Sequence, residues 1–317
     1  MKVLILTEGG ERIGFGHITR CVALCEAFKE KFINPTLLVN GDDSILGLLK
    51  YKNFEIYNWI KNKEKLFQDI VKSDFVVIDS YLAEKSMYDK ISEVTGGKML
   101  MIDDYNRIKY PKGIVVNPSI YGDKIDYLRK SDAIYFLGKD YILLRKEFWN
   151  VPERKISKKV KNVLITFGGM NRYNLVNKIA NFLKEKFNIK IYIVNTKFNK
   201  LTAKEMLSLM LESDVCISGG GQTTYELARV GVPTIGICLA ENQKFNLRCW
   251  KSLGFIENLF WDNEGEKLIE VICSSFNSLL PYQKRKKLNE IGRSYVDGQG
   301  AKNIIKIIID YNYLKVS

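Results

Sequence analysis

Short apolar runs alternate with amphipathic segments along most of the chain. KVLIL, PTLLVN, FEIYNW, FVVID and KMLMIDD are typical of strands, and stretches such as EKLFQDIVK and EKSMYDKISEV separate them. From His17 onward, apolar residues recur at the spacing of a helix (HITRCVALCEAFKEKF). This alternation favours a parallel sheet covered by helices on both faces. IVVNPSIYG and YFLGKDYILLRKEF follow as less regular segments.

A polar and basic segment with a proline, VPERKISKKVK at 151–161, interrupts the alternation, which restarts with VLITFGG. Its composition is typical of an interdomain linker. The 317 residues also exceed the length at which single cores stop growing, about 250–300 residues. We therefore predict an α/β protein of two doubly wound, Rossmann-like domains that face a cleft. Their expected bounds are 1–152 and 153–317, and the last helix could pack back on the first domain.

The composition, 46% hydrophobic and 27% charged, is ordinary for a globular protein. No apolar run approaches the roughly 20 residues of a membrane span, and MKVLILTEGG resembles a first strand more than a signal peptide. We expect a monomeric cytoplasmic protein without membrane insertion.

The cysteine and histidine content argues against a structural metal. Six cysteines lie in apolar segments without a C-x-x-C pair, and the chain has one histidine. Buried reduced thiols are favoured over zinc or disulfides. Asp42-Asp43 and Asp103-Asp104 could suggest a metal, but sugar hydroxyls or amides are the favoured partners of carboxylates near a cleft. We predict no metal and no cofactor.

The net charge of +13 is unevenly distributed, with +2 in residues 1–150 and +11 in residues 151–317. A basic second half could indicate nucleic acid, an anionic membrane surface or a phosphorylated ligand. Scattered solvated lysines are the favoured interpretation, because clusters such as 158–159 and 284–287 are not interleaved with aromatic residues. Nucleic-acid binding remains a competing hypothesis, and it predicts a steep salt dependence.

Three glycine-rich turns each follow a strand and precede a helix. They are Gly14-Phe15-Gly16-His17, Phe167-Gly168-Gly169, and Ser218-Gly219-Gly220-Gly221-Gln222-Thr223-Thr224. None matches the dinucleotide fingerprint or the P-loop. Each alone could be a tight turn, but three at the carboxyl ends of parallel strands predict a ligand site, with anions at the helix N-termini.

Glu226 has two interpretations. Thr223-x-x-Glu226 fits a capping box, in which the glutamate accepts from the backbone of the cap residue. Alternatively, its carboxylate accepts both hydroxyls of a ribose beside a phosphate on the preceding glycines. Spacing alone favours the cap.

An ordered set of motifs extends over nearly the whole chain. GFGHITR (14–20) is followed by IDSY (78–81), IDD (102–104), VNP (116–118), LGKDY with LRKEF (137–148), FGG (167–169), GGQTTYELA (220–228), GVPT (231–234), ENQ (241–243) and VDGQGA (296–301). The set resembles the nucleotide-sugar hydrolases of pseudaminic acid biosynthesis, which are related to spore coat polysaccharide biosynthesis proteins. The G-G…E-L-A…G-V-P element alone occurs throughout two-domain sugar-nucleotide transferases.

The resemblance implies a glycosyltransferase-B-like fold and metal-independent hydrolysis of UDP-2,4-diacetamido-2,4,6-trideoxy-β-L-altrose to UDP and the free sugar. By similarity, His17 is the catalytic residue and Glu226 the ribose carboxylate, which reverses the preference for a cap. The predicted substrate-binding residues are Gly14, Gly16, Arg20, Tyr81, Asn174, Asn242 and Gln243. The predicted UDP-binding residues are Gly168, Gly169, Gly219, Gly220, Gly221, Thr223, Thr224 and Glu226. Met170-Asn171 replaces the G-G-x-D aspartate usual in the family, which leaves the exact sugar open.

The chemistry of the reaction agrees with this role for His17. UDP is a good leaving group, so catalysis needs an activated water and stabilisation of the diphosphate. The dipole at a helix N-terminus disfavours a protonated imidazole, so His17 would be a neutral base at pH 7. If His17 only caps the helix, the base must be sought among Asp79, Asp103 and Asp104.

The alternative function is a UDP-sugar glycosyltransferase of the same fold, which would use the same nucleotide site. Action on a lipid-linked acceptor would call for an apolar and basic docking patch on the first domain. The charge of +2 in that half, without an amphipathic basic helix, argues against it.

Overall fold

The computed structural model describes residues 1–127, 132–168, 172–194, 201–261 and 266–314. Gly169 and the pair Met170-Asn171 lie outside the described residues. The chain forms two compact units, one of residues 1–146 with 299–317 (unit 1) and one of residues 147–298 (unit 2). The sequence places the domain boundary at 152/153, whereas the units divide after Lys146 and again after Gly298.

The predicted alternation of strands and helices is confirmed. The strands are β1 (Val3–Gly9), β2 (Thr36–Gly41), β3 (Asn53–Ile56), β4 (Phe75–Asp79), β5 (Met99–Ile102), β6 (Gly113–Asn117), β7 (Ala133–Leu137), β8 (Asn162–Thr166), β9 (Lys190–Val194), β10 (Val215–Gly219), β11 (Thr234–Cys238) and β12 (Ile256–Trp261). The helices are α1 (Gly16–Lys29), α2 (Leu46–Leu49), α3 (Lys63–Val71), α4 (Lys85–Val94), α5 (Tyr173–Lys186), α6 (Ala203–Glu212), α7 (Thr223–Val230), α8 (Lys244–Ser252), α9 (Glu266–Ser278), α10 (Tyr282–Tyr295) and α11 (Gly300–Leu314).

Unit 1 contains a parallel sheet of seven strands in the order β3-β2-β1-β4-β5-β6-β7. β1 pairs with β2 on one side and with β4 on the other, and Thr7 lies opposite Asp79. The strand order therefore reverses between β1 and β4. Ligands of open α/β sheets bind beside the carboxyl ends of the strands at such a reversal. Those ends carry Glu8 and Asp79.

Two strands of unit 1 come from the segments that look less regular in the sequence. β6 is only five residues long, and all of them are buried. β7 is an edge strand with mostly half-buried residues, and Ile134 is 48% exposed. Neither shows the alternation or length that identifies a strand from sequence, because β6 is a short buried run and β7 pairs on one side only.

Unit 2 contains a parallel sheet of five strands in the order β12-β11-β10-β8-β9. Here the order reverses between β8 and β10, where Thr166 lies opposite Ser218. The turns that begin at Gly168 and Gly219 follow these two strands. Gly168 and the third glycine turn thus lie at the same carboxyl-end edge of one sheet.

Two of the basic residues in the second half are structural. Arg285 is fully buried, and its Nη1 and Nη2 donate to the carbonyl oxygens of Ser157 and Lys158, at 2.8 and 2.9 Å. Arg154 is also buried, and its Nη1 donates to the carbonyl oxygen of Gly231 at 3.3 Å. The basic segment 151–161 is therefore held in unit 2 by two arginines, its own Arg154 and Arg285 of α10.

The last helix, α11, belongs to unit 1. Asn303 donates to the carbonyl oxygen of Asp140 at 2.8 Å, and the Tyr311 hydroxyl donates to that of Gly97 at 3.1 Å. These bonds tie the end of the chain to residues of the first half.

A capping box forms at α6. The Thr202 hydroxyl accepts from the backbone N–H of Glu205 at 3.2 Å, and the Glu205 carboxylate accepts from the backbone N–H of Thr202 at 2.7 Å. We expect Thr202→Ala to lower the free energy of unfolding by about 1 kcal/mol, measured by urea unfolding. Thr223→Ala is the matched control, since Thr223 is the first helical residue of α7 and not its N-cap. An equal loss in both variants would contradict this assignment.

Candidate active site

His17 lies in the first turn of α1, directly after the first glycine turn. Gly10 and Gly14 close this turn through two mutual backbone hydrogen bonds of 3.1 and 2.8 Å. Gly14 has a φ of +93°, a conformation that side chains other than glycine rarely adopt. A Cβ on Gly14 or on Gly16 would meet no atom within 4 Å, so both glycines border open space. The turn brings His17 to the carboxyl ends of β1 and β4.

Asp79, the last residue of β4, is fully buried beside His17. Its Oδ1 lies 2.7 Å from Nδ1 of His17 and accepts from Nη2 of Arg20 at 2.7 Å. Its Oδ2 accepts from Nε of Arg20 at 3.0 Å. Burial alone would raise the pKa of Asp79, but the charges and hydrogen bonds of Arg20 and His17 hold it below its usual value. An ionised Asp79 can only accept, so Nδ1 carries the proton. The lone pair of the neutral imidazole then resides on Nε2.

Arg20 joins Asp79 to a second carboxylate. Its Nη1 donates to both oxygens of Asp104 at 2.7 and 2.9 Å, and the Tyr81 hydroxyl donates to Oδ2 of Asp104. The Tyr81 ring stands edge-on to the His17 ring, with centroids 4.3 Å apart. His17, Asp79, Arg20, Asp104 and Tyr81 therefore form a closed set of contacts, which we call the His17 network.

Burial and neighbouring charges fix the protonation of Arg20 and Tyr81. Burial would lower the pKa of Arg20, but Asp104 and Asp79 raise it well above its usual value, so the guanidinium stays charged. Burial, followed by the charge of Asp104, raises the pKa of Tyr81, so its hydroxyl stays protonated. Sequence reasoning assigned Arg20 to the substrate, whereas its donors are directed at Asp79 and Asp104.

Glu8 lies on the other side of the imidazole. Its Oε1 is 3.9 Å from Nε2 of His17 and accepts from the backbone N–H of Tyr81 at 2.7 Å. Its Oε2 accepts from the Ser80 hydroxyl at 2.5 Å. Glu8 thereby fixes the start of the segment that carries Tyr81.

Asp103 has a structural role. It accepts from the hydroxyls of Tyr110 and Tyr127 at 2.7 and 2.5 Å and from the backbone N–H of Asn106 at 2.6 Å. These bonds hold the turn after β5. Of the three aspartates considered as alternative bases, Asp79 and Asp104 belong to the His17 network and Asp103 does not contact it.

Sequence reasoning missed Glu8, and it treated Asp79 and Asp104 only as fallback bases. A signal was present, since each of these acids lies within two residues of the carboxyl end of a buried strand: Glu8 at β1, Asp79 at β4 and Asp104 at β5. Acidic residues at the carboxyl ends of adjacent parallel strands lie close together.

In unit 2, the two remaining glycine turns lie side by side. Gly168 has a φ of +61°, and a Cβ there would stand 3.9 Å from the Thr223 hydroxyl. A Cβ on Gly220 would come within 2.6 Å of Leu247, whereas one on Gly221 would meet no atom within 4 Å. The turn of residues 218–224, which we call the glycine loop, is thus packed at Gly220 and open at Gly221. The open end leads into the N-terminus of α7, a favourable place for an anion.

Two amide side chains hold the glycine loop. Oε1 of Gln243 accepts from the backbone N–H groups of Gly220 and Leu239 at 3.0 and 3.1 Å. Nδ2 of Asn246 donates to the carbonyl oxygen of Gly220 at 2.8 Å and to the Thr224 hydroxyl at 2.9 Å. Gln243 and Thr224 are both predicted ligand contacts. In the structure, Oε1 of Gln243 and the hydroxyl of Thr224 make hydrogen bonds that hold the glycine loop. Asn246 was missed, although it follows Gln243 by one helical turn.

Glu226 lies in the first half of α7 and is 4% exposed. The N-cap of α7 is Gln222, so the capping box predicted from Thr223 and Glu226 is wrong. Glu226 is the fourth helical residue, one position beyond the N3 residue of a capping box.

The remaining predicted site residues also lie in unit 2. Asn174 is exposed in the first turn of α5, and Asn242 is exposed just before α8. Arg172, which was not predicted, donates to the carbonyl oxygen of Leu239 at 3.4 Å. Its guanidinium thus lies beside Leu239, whose backbone N–H donates to Gln243.

All six cysteines are buried free thiols, as expected, and burial raises the pKa of Cys25 to about 12. Within the described ranges, no three His, Cys, Asp or Glu side chains are grouped to hold a metal ion. No helix in those ranges is long and apolar enough to cross a bilayer.

The depressed pKa of Asp79 has a consequence for stability. Its contribution is complete above the ordinary carboxyl pKa of about 3.9 and is lost as the pH falls through the lower folded-state value. We expect Asp79→Asn to lower the free energy of unfolding by about 3–5 kcal/mol at pH 7, because Arg20 loses a buried partner. The deficit relative to wild type should shrink at pH 3, measured by urea unfolding at both pH values.

The exposed pair of Lys139 and Asp140 supplies the control. Asp140→Asn should change stability little at either pH. A deficit of Asp79→Asn that is the same at pH 7 and pH 3 would contradict the ionised, charge-paired state of Asp79.

Comparison with known proteins places these sites in context. Residues 150–306 match the model of the glycosyltransferase family 28 C-terminal domain. The spore coat polysaccharide biosynthesis protein SpsG of Bacillus subtilis is 24% identical over 98% of both chains. The UDP-2,4-diacetamido-2,4,6-trideoxy-beta-L-altropyranose hydrolase of Campylobacter jejuni is 26% identical, over 77% of this chain and 94% of that one. Protein MJ1062 of Methanocaldococcus jannaschii is 26% identical over 77% of this chain, which spans only 57% of that protein.

Solved structures establish the fold. Acinetobacter baumannii MurG superposes with a TM-score of 0.70 at 14% identity, over 98% of this chain and 100% of that one. The spinosyn forosaminyltransferase SpnP follows with a TM-score of 0.67 at 11% identity, over 99% of both chains. The resemblance drawn from the ordered motifs is confirmed: this chain is a glycosyltransferase-B-like relative of the UDP-diacetamido-trideoxy-altropyranose hydrolases and of SpsG.

Proposed function

We propose that this protein is a monomeric cytoplasmic enzyme of pseudaminic acid biosynthesis. It hydrolyses UDP-2,4-diacetamido-2,4,6-trideoxy-β-L-altrose to UDP and the free sugar. The observation that carries the proposal is the buried pair of His17 and Asp79, whose 2.7 Å contact leaves Nε2 as a proton acceptor. The Campylobacter relative is named for the same reaction.

The charges of the two parts of the chain suit the two parts of this substrate. The surroundings of His17 contain three carboxylates, Glu8, Asp79 and Asp104, against the guanidinium of Arg20. Such a site favours a neutral sugar and the positive charge that develops at its anomeric carbon. We therefore assign the sugar and the chemistry to residues 1–152.

We assign UDP to residues 153–317. This part holds the basic excess and the glycine loop that opens at Gly221 toward the N-terminus of α7. Backbone N–H groups at a helix start bind phosphate oxygens. Arg172 adds a cation near the loop, and Glu226 supplies the acceptor for the ribose hydroxyls.

The reaction follows from the state of His17. A water molecule gives a proton to Nε2 as its oxygen attacks the anomeric carbon, while the bond to the UDP oxygen breaks and its electron pair leaves with UDP. The transition state resembles an oxocarbenium ion, as in other glycosyl hydrolysis. Asp79 holds the imidazole in the required tautomer and stabilises the imidazolium that forms. Helix N-terminal amides take the diphosphate charge, so the scheme needs no metal.

A glycosyltransferase is the second candidate, because residues 150–306 match a glycosyltransferase domain. The same Nε2 could deprotonate the hydroxyl of an acceptor in place of water. The two functions differ in whether UDP is released when no acceptor is present.

A product assay in ¹⁸O-labelled water distinguishes the two. We expect the protein to release UDP from the UDP-linked sugar without an acceptor and with EDTA present, and to incorporate ¹⁸O into the sugar. His17→Asn should lower kcat by about 10²–10⁴-fold, the usual contribution of a general base, and leave the affinity for UDP and the melting temperature nearly unchanged.

Four outcomes would contradict the proposal. Turnover only with an added acceptor would identify a transferase, and ¹⁸O in UDP would place the attack at phosphorus. Loss of activity in EDTA, with recovery on adding magnesium or manganese, would require a metal. A kcat of His17→Asn within a few-fold of wild type would make His17 a structural residue.

The nucleotide site generates a separate prediction. Glu226→Ala should raise the dissociation constant of UDP by about 10–100-fold, or about 1.4–2.7 kcal/mol, through the loss of a charge-assisted bond to the ribose. Calorimetric titration with UDP measures it. Glu205→Ala is the matched control, because it removes a carboxylate from a true capping box and should lower stability without changing UDP binding. Normal UDP binding by Glu226→Ala would refute the ribose contact.

A further inference from the structure

We propose that Glu8 is a second carboxylate partner of the catalytic imidazole, which stabilises His17 once Nε2 has taken the proton of the attacking water. Its role in turnover rests on the proposed hydrolysis. Its coupling to His17 is a property of the free protein and can be measured without substrate.

The geometry places the imidazole between two buried carboxylates. Asp79 Oδ1 lies 2.7 Å from Nδ1, and Glu8 Oε1 lies 3.9 Å from Nε2, the other ring nitrogen. Both carboxylates are at most 1% exposed. The pairing of β1 with β4 fixes them, since Thr7 lies opposite Asp79 and Glu8 follows Thr7.

Glu8 is held in this position by donors from the segment after β4. The Ser80 hydroxyl and the backbone N–H of Leu82 point at Oε2, at 2.5 and 3.4 Å, and the backbone N–H of Tyr81 points at Oε1 at 2.7 Å. Both oxygens therefore act as acceptors, which a carboxylate can do and an amide cannot. The same bonds place the Tyr81 ring against His17.

The charged and titratable groups around His17 come from four elements. Glu8 comes from β1, Asp79 from β4, Arg20 from α1 and Tyr81 from the segment after β4, with Asp104 beyond Arg20. Arg20 pairs with Asp79 and Asp104. Within the described part of the chain, no lysine or arginine forms an ion pair with Glu8. The ion-pair partner of Glu8 in these ranges is the imidazole of His17.

The proton transfer gives this charge its function. Water donates its proton to Nε2 while its oxygen bonds to the anomeric carbon and the UDP oxygen leaves with the electron pair of the broken bond. The resulting imidazolium carries N–H groups on both ring nitrogens. Nδ1–H points at Asp79, and Nε2–H faces the Glu8 carboxylate, which favours the charged ring at short range in a buried site. The proton then passes to solvent.

The sole histidine of the chain makes the test direct, because its imidazole signals need no assignment by mutation. We expect Glu8→Gln to move the NMR titration midpoint of His17 to lower pH by about one unit, since it removes a negative charge within about 4 Å. The acidic limb of the pH profile of kcat should move in the same direction. Ser80→Ala is the control: it removes an anchor of Glu8 but keeps the charge, and its midpoint should stay at the wild-type value.

Glu8→Asp provides a second route if Glu8→Gln does not fold. It keeps the negative charge but places it one methylene farther from the imidazole. The titration midpoint of His17 should therefore fall by less than in Glu8→Gln. The proposal is overturned if the His17 midpoint in Glu8→Gln equals the wild-type value. The same holds for Glu8→Asp if Glu8→Gln does not fold. An equal shift in Ser80→Ala, which would assign the effect to the loop, also overturns it. Shifts as expected in a protein that releases no UDP would instead overturn the proposed hydrolysis and leave the coupling supported.

Discussion

The buried carboxylate of Asp79 is the interaction on which the site in unit 1 depends. Removing a carboxylate from water is costly, and only close partners make it tolerable. Arg20 supplies two donors and a charge, and His17 supplies one donor. In return Asp79 fixes the tautomer of His17, and Arg20 is held where it can also bind Asp104. Asp104 also accepts from the hydroxyl of Tyr81, whose ring stands edge-on to the ring of His17.

Both units place their candidate site at the same kind of position in a parallel sheet. In each, the strand order of a parallel sheet reverses beside the first strand of the unit, and the side chains and turns at the carboxyl ends on either side of the reversal form the site. What differs is the chemistry at those ends. Unit 1 presents acids around an imidazole, which suits a reacting sugar, and unit 2 presents glycines before a helix, which suits a phosphate.

Local patterns in the sequence were sufficient for much of the fold and for the position of His17 at the start of a helix. The alternation of apolar runs and helices predicted parallel α/β units, and the ordered motifs predicted the family relationship. Contacts between distant residues were not predictable in this way. Arg20 and Asp79 are 59 residues apart, and their pairing depends on the register of β1 with β4. Thr223-x-x-Glu226 and Thr202-x-x-Glu205 have the same spacing, but only the second is a capping box. The residues before α7 pack against α8 at Leu247 and accept from Asn246, contacts that spacing does not reveal.

The account stands on the claim that Asp79 keeps the proton of His17 on Nδ1 and leaves Nε2 bare. The ¹⁵N chemical shifts of the single imidazole, recorded on the free protein above its titration midpoint, test this claim most directly. The account predicts a protonated, pyrrole-type Nδ1 and a bare, pyridine-type Nε2. A protonated Nε2 with a bare Nδ1 would contradict it, because the lone pair would then face Asp79 and Nε2 could not take the proton of a water molecule.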